Sequence, residues 1–288
     1  MWIFEQARDY YTAAPIAQKL AWEIGIALLF LIVAFIGFHL FRRAFGTPNY
    51  EATGKTPPAG PAKFRRYTAG GRLYHWGILA VMLLLLLSGA AFYFPGGVFS
   101  LNGAIGISWL LLHVVFAWIF IVFVLVHIGY AIFDTGLHNM LYHRGDGHDL
   151  MRRVSYYLGG RRRLPKIGKF DAVQKTYHLL LILFALVMIV TGISLFLSSE
   201  LFATLDADWL RWQRLLHDIF AFLFLAVIIA HVYLRLLGQH RAKLASMFTG
   251  NLPRETFERE HDWSRWQPDL PDTHSSAAPA AAASDSKK

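Results

Sequence analysis

The chain contains no cysteine. That excludes disulfide bonds, thiolate-held iron–sulfur clusters and covalent c-type haem attachment. Any metal must therefore be held by histidine, methionine or carboxylate. Charge is also scarce: only 16% of the 288 residues are Asp, Glu, Lys or Arg, against 55% hydrophobic residues. An ordinary soluble domain carries more charge than this. There is no phosphate-binding glycine loop and no nucleophile constellation, so the chain carries no recognisable substrate-oxidising site of its own. The first 20 residues lack the basic start of a secretory signal, and no Ala-x-Ala cleavage site follows the first apolar run. That run reads as a retained anchor.

What the chain does have is long apolar runs and thirteen histidines. Five runs are long enough to span a bilayer, at about 21–41, 74–94, 105–133, 176–197 and 213–237. The expected organisation is an N-terminal segment with an anchor helix (1–45), a Pro/Gly-rich linker (46–62), a four-helix bundle (63–240) and a polar tail (241–288) whose Ala/Ser/Asp/Lys end is disordered. The net charge of +9 reads as Lys and Arg gathered in cytoplasmic loops, not as nucleic-acid binding. The 134–175 connection is strongly basic. The 95–104 connection has no Lys or Arg, and 198–212 holds Glu200, Asp206 and Asp208 against one Arg. This pattern places the N-terminus outside and the C-terminus in the cytoplasm of a bacterial inner membrane.

Four of the spans form an internal repeat. Tyr74-His75 aligns with Tyr177-His178 and Ser88-Gly89 with Thr191-Gly192, both at an offset of 103. His113 aligns with His217 and His127 with His231, both at 104. The fold class is thus an all-α membrane protein, with two repeated helical hairpins forming a four-helix bundle beside the anchor helix. His217 and His231 are fourteen residues apart on the last span, about 21 Å along one face of one helix. Ionisable groups at membrane depth read as functional by default. His113 and His217 share the outer depth and can ligate one haem iron from both sides; His231 needs an inner partner, and His75 is the first choice. His127 and His178 repeat the inner pair and could hold a third haem, or serve in hydrogen bonding or quinone protonation. Gly89 and Gly192 each lie fourteen residues after a repeat histidine, near the outer depth, where a missing side chain gives a flat macrocycle room. No cofactor role is given to His39, His138, His143, His148, His240, His261 or His274.

The set formed by Tyr74-His75-Trp76, Ser88-Gly89, Leu112-His113, Gln174-Lys175, Leu216-His217, His231-Val-Tyr and Met247-Phe-Thr-Gly250 resembles the di-haem cytochrome b (gamma) subunit of respiratory formate dehydrogenases. The same superfamily holds the cytochrome b subunits of nickel–iron hydrogenases and thiosulfate reductases. The resemblance covers about 63–268. It implies two b haems, an inner one on His75/His231 and an outer one on His113/His217. It also implies a quinone beside the inner haem, contacting His231 and the segment before Gln-Lys, here Asp171 to Gln174 and Lys175. The family's Asn-x-Gly is replaced there by Asp171-Ala-Val, and Asp171 could act as a proton acceptor or donor. Arg72 and Arg235 are candidates for pairing with haem propionates.

The implied partners are an iron–sulfur subunit and a catalytic subunit on the outer face, docked on the 95–112 and 198–212 loops, together with the quinone pool and the lipid. Higher oligomers are open, and nucleic acid is not expected. Alternatives are a hydrogenase or other molybdoenzyme cytochrome b subunit, a stand-alone transmembrane haem reductase and, in a different class, a His-rich metal transporter.

Overall fold

The computed structural model describes residues 16–43, 50–51, 54–91, 108–133, 137–160, 163–200, 207–236 and 241–269. Five of its helices are long and apolar enough to cross a membrane. They are α1 (Ile16–Arg43), α2 (Ala69–Ala90), α3 (Trp109–Phe133), α6 (Ala172–Glu200) and α7 (Ala207–Leu236). Leu, Ile, Val and Phe side chains stand exposed along all of them, among them Phe30 and Leu31, Leu83 and Leu84, Val122 and Leu125, Leu183 and Leu186, and Val232. In water such a surface would aggregate; facing lipid it is the stable arrangement.

The helices pack as two antiparallel hairpins, α2 with α3 and α6 with α7. Each hairpin is close along its length, while direct approach between the hairpins is slight. The space between them is filled at mid-height by an aromatic core in which Phe120, Phe184 and Phe224 are buried with Val81 and Ala185. Phe224 makes edge-to-face contacts with Phe120 and Phe184, at 6.5 and 5.8 Å between centroids.

The anchor helix α1 lies along α7. Gly25 allows the approach, since a Cβ at that position would come within 2.5 Å of the Phe222 ring. Trp22 packs on the same ring, at 6.3 Å between centroids. At the other end of the contact, His39 is 3% exposed; its Nδ1 is hydrogen-bonded to the Tyr233 hydroxyl at 2.7 Å, and Phe35 stacks on its ring.

The segments read as a linker and a tail are not independent in their described portions. Together with the 137–171 connection they build a cap over the end of the bundle where α2 begins and α7 ends. Its elements are β1 (Lys63–Arg65), α4 (Leu137–Met140), α5 (Asp146–Tyr157), α8 (Arg241–Thr249), β2 (Asn251–Pro253) and α9 (Arg254–Glu260). β1 and β2 pair antiparallel, with Phe64 opposite Leu252. Phe64, Leu252, Phe257 and Trp266 form a small apolar core. Hydrophobicity alone missed this cap because its core is four residues scattered across two hundred positions. Gly250 ends α8 at φ 81°, and a Cβ there would meet the Tyr67 carbonyl oxygen at 2.9 Å, so glycine is required. The cap grips the bundle through α2: Trp76 Nε1 donates to the Met247 carbonyl at 3.2 Å, and Arg72 donates to the Phe248 carbonyl. The expected outer docking loops fall largely on residues 92–107 and 201–206, which lie outside the described residues, as does the 275–288 end.

Candidate functional site

Six histidines of the repeat meet in three pairs across the hairpins. His113 enters from the start of α3 and His217 from the first half of α7; their ring centroids are 6.3 Å apart. His75 enters from the start of α2 and His231 from near the end of α7, and their centroids are also 6.3 Å apart. Two imidazoles bound in line to one metal, with bonds of about 2.0 Å and ring centres about 1.1 Å behind each nitrogen, would stand about 6.2 Å apart. Both pairs therefore fit an axially ligated haem iron. Phe224 lies halfway between His217 and His231 on α7 and separates the two levels.

The third pair differs. His127 and His178 have centroids 5.2 Å apart, and their Nε2 atoms are 3.2 Å apart. Two metal bonds in line need about 4 Å between the nitrogens. The spacing is that of a direct hydrogen bond, the geometry of the hydrogen-bonding reading of this pair. Tyr74 stacks on His127 at 5.6 Å.

The outer pair has a second layer that the repeat marked without explaining. The Ser88 hydroxyl is 2.9 Å from His113 Nδ1, and the Thr191 hydroxyl is 2.9 Å from His217 Nδ1. Each hydroxyl also reaches back to the carbonyl four residues earlier, Leu84 at 2.8 Å and Val187 at 2.7 Å. Gly89 and Gly192 come next in sequence. A Cβ on Gly89 would lie 3.5 Å from His113 Cε1, and one on Gly192 would lie 3.3 Å from His217 Cε1. The glycines thus adjoin the outer imidazoles, at the level expected for them.

The segment expected to meet quinone forms the start of α6. Asp171 caps α6: its Oδ1 accepts from the Gln174 backbone N–H at 2.9 Å, and Gln174 Oε1 accepts from the Asp171 N–H at 3.0 Å. This is a reciprocal capping box. Asp171 is buried, which by itself would raise its pKa, but Arg153, Lys243 and Arg235 outweigh burial and hold it down to about 2. Lys175 is buried in an ion pair with Asp146 at 2.7 Å, and Asp146 also faces Arg265 at 3.4 Å. The Asp171 carboxylate thus caps α6, with the surrounding cations favouring its charged form. Arg72 is committed to the Phe248 carbonyl. Arg235 is half-buried four residues beyond His231, beside Tyr177.

His261, given no role from sequence, is fully buried in the cap. Its Nδ1 lies 2.7 Å from the Gly168 carbonyl and donates to it, while Nε2 accepts from Arg66 at 3.1 Å. Burial first, then Arg66 and Lys243, push its pKa well below the ordinary histidine value. Among the described residues no group of three or more His, Asp or Glu could hold a bare metal ion.

No curated protein matches the chain in sequence. The family model of prokaryotic cytochrome b561 matches residues 1–144 and 140–250, which takes in the anchor helix, both hairpins and the first half of the cap. The chain therefore belongs to the prokaryotic cytochrome b561 family: it is a multi-pass bacterial membrane protein that binds haem b and transfers electrons.

Proposed function

We propose that the chain is the membrane-anchoring, quinone-reactive cytochrome b subunit of a respiratory oxidoreductase of the formate dehydrogenase kind, taking electrons from an iron–sulfur partner and passing them to quinone. The single observation that carries the reading is the equal 6.3 Å spacing of two histidine pairs at two levels of one bundle. His113 and His217 would hold one haem and His75 and His231 the other. Bound there, haem supplies reversible one-electron chemistry at its iron.

The protein's own share is placement and charge. His217 and His231 share α7, so one rigid helix sets the vertical separation of the two sites. Each pair takes one ligand from either hairpin and ties the hairpins together where they otherwise touch little. The phenylalanine layer keeps water from the space between the levels. Arg235 places a half-buried cation at the inner level. His231 is the quinone contact on this reading, and Asp171, Gln174 and Lys175 shape the floor beneath it. The capped end faces the cytoplasm, as the basic connections imply, and the iron–sulfur and catalytic subunits dock at the opposite end.

The test is haem b per polypeptide in the purified protein, measured by pyridine haemochrome, with affinity-tag co-purification from the native host. Two haems together with co-purifying iron–sulfur and catalytic subunits are expected. No haem in a folded sample supplied with haem would overturn the reading. Two haems without stable subunits would replace it with a stand-alone reductase.

A further inference from the structure

The two outer histidines share a feature that the inner two lack. Ser88 and Thr191 are 1% and 2% exposed, and each places its oxygen 2.9 Å from an Nδ1. A hydroxyl has one hydrogen. In both residues the oxygen also sits 2.7–2.8 Å from the carbonyl four residues earlier on its own helix. That carbonyl can only accept, so the hydroxyl hydrogen goes to it. The hydroxyl oxygen then accepts from the ring, for His113 alongside the Leu85 carbonyl, and Nδ1 carries the imidazole proton. The tautomer follows: Nε2 is the unprotonated nitrogen of both His113 and His217, available as the metal ligand. No such hydroxyl serves His75 or His231 among the described residues.

A hydrogen bond accepted from the far N–H of a ligating imidazole fixes the ring and makes it a stronger donor. A stronger donor favours ferric over ferrous iron, and so lowers the reduction potential of its haem. A cation stands about one turn from the α7 ligand at both levels, Arg214 before His217 and Arg235 after His231, so the hydroxyls are what distinguishes the outer level.

We propose that Ser88 and Thr191 are positioning residues of the outer haem site. They select the Nε2 tautomer of His113 and His217 and make the outer site the lower-potential one, so that electron transfer toward the inner site is downhill. Gly89 and Gly192 belong to the same device. Each follows its hydroxyl residue and lies against the ring that the hydroxyl orients. The inference rests on the haem assignment above.

The experiment uses the purified full-length holoprotein, with Ser88→Ala and Thr191→Val, singly and together, and with Ser88→Thr and Thr191→Ser as conservative exchanges. The readouts are haem per polypeptide, a redox titration of the α-band, and the low-spin ferric signals in electron paramagnetic resonance. With two haems retained, the lower of the two potentials should rise in each deletion and rise further in the double variant. The low-spin signal of that haem should change, the other haem should stay as it was, and the conservative exchanges should restore the wild-type values. Loss of one haem on deletion, restored by the conservative exchange, also supports the positioning role. Two unchanged potentials, a shift of the higher one, or a haem loss that the conservative exchange does not repair would overturn it. A wild-type protein without haem would instead fail the parent reading, and the haem count separates the two failures.

Discussion

A histidine in this bundle is defined by what its second nitrogen does. His113 and His217 give Nδ1 to a hydroxyl, His127 and His178 share a proton between their Nε2 atoms, and His261 bridges a carbonyl and a guanidinium. From this follow two expectations at the residue scale. His217→Ala should remove one haem per polypeptide and leave the other, whereas His178→Phe should leave the haem count unchanged; pyridine haemochrome on both variants checks it. The second concerns pH. His261 is neutral in the fold, with its pKa well below 6.5, while in the unfolded chain it titrates near about 6.5. Below that pH the unfolded chain binds the proton and the fold does not. The resulting term is flat above about 6.5 and destabilises the cap progressively as pH falls. Melting temperature measured in detergent between pH 5 and 8 should decline on the acid side, and His261→Gln, which keeps a hydrogen-bonding head but cannot charge, should flatten that decline.

At the scale of elements, the anchor helix is the clearest case of a part whose presence is readable but whose role is not. Its length and hydropathy mark α1 as a span. Nothing in its apolar pattern says which helix it lies on, because lipid and a neighbouring helix are equally apolar surroundings. The partner is chosen by shape, with Gly25 opened to Phe222, and by one polar contact, His39 to Tyr233. Gly25→Leu should therefore push α1 off α7. Overpacking of this kind costs about 1–3 kcal/mol, read as a lower melting temperature and faster proteolysis between α1 and β1, with haem content retained. Normal melting with Gly25→Leu would mean that α1 is not held by that contact. The capping box at Asp171 carries a related lesson. Asp-x-x-Gln ahead of an apolar run is a helix start by local chemistry, and this cap is what packing shows for residues that the family resemblance implies as quinone contacts.

For the whole molecule, the cap joins three distant stretches of chain beneath the inner histidine level. It holds Lys243 against Glu260 at 2.6 Å, with both side chains buried, and it reaches the start of α2 through Trp76 and Arg72, either side of His75. A chain truncated after residue 240 should therefore perturb the inner site first. On the proposed haem assignment, the expected outcome is loss or a potential shift of the haem held by His75 and His231, with that of His113 and His217 retained in the same sample. Lys243→Met, which removes this partner but leaves Arg259 beside Glu260 at 2.8 Å, should destabilise the cap by about 1–3 kcal/mol and reproduce the same order of haem loss. If truncation removed the outer haem first, the cap would not be the brace described here.

Much of this protein is dictated by the chain alone. Apolar runs of bilayer length must become helices, because lipid offers no other partner for the backbone. The offsets of 103 and 104 then bring equivalent histidines to equivalent depths before any tertiary contact forms. That is why His113 and His217 can be set side by side from sequence, whereas for His231 the offsets leave several histidines at its depth, and His75 is a first choice that the family resemblance also implies. What spacing along a helix cannot convey is distance across a bundle. Whether a pair stands at 6.3 Å or closes to a hydrogen bond, as His127 and His178 do, depends on how far apart the hairpins are held. The hydroxyls behind the outer rings, the burial of Asp171 and Lys175, and the cap assembled from a linker and a tail have the same origin. Each depends on contacts between residues far apart in sequence, and only tertiary packing brings those together.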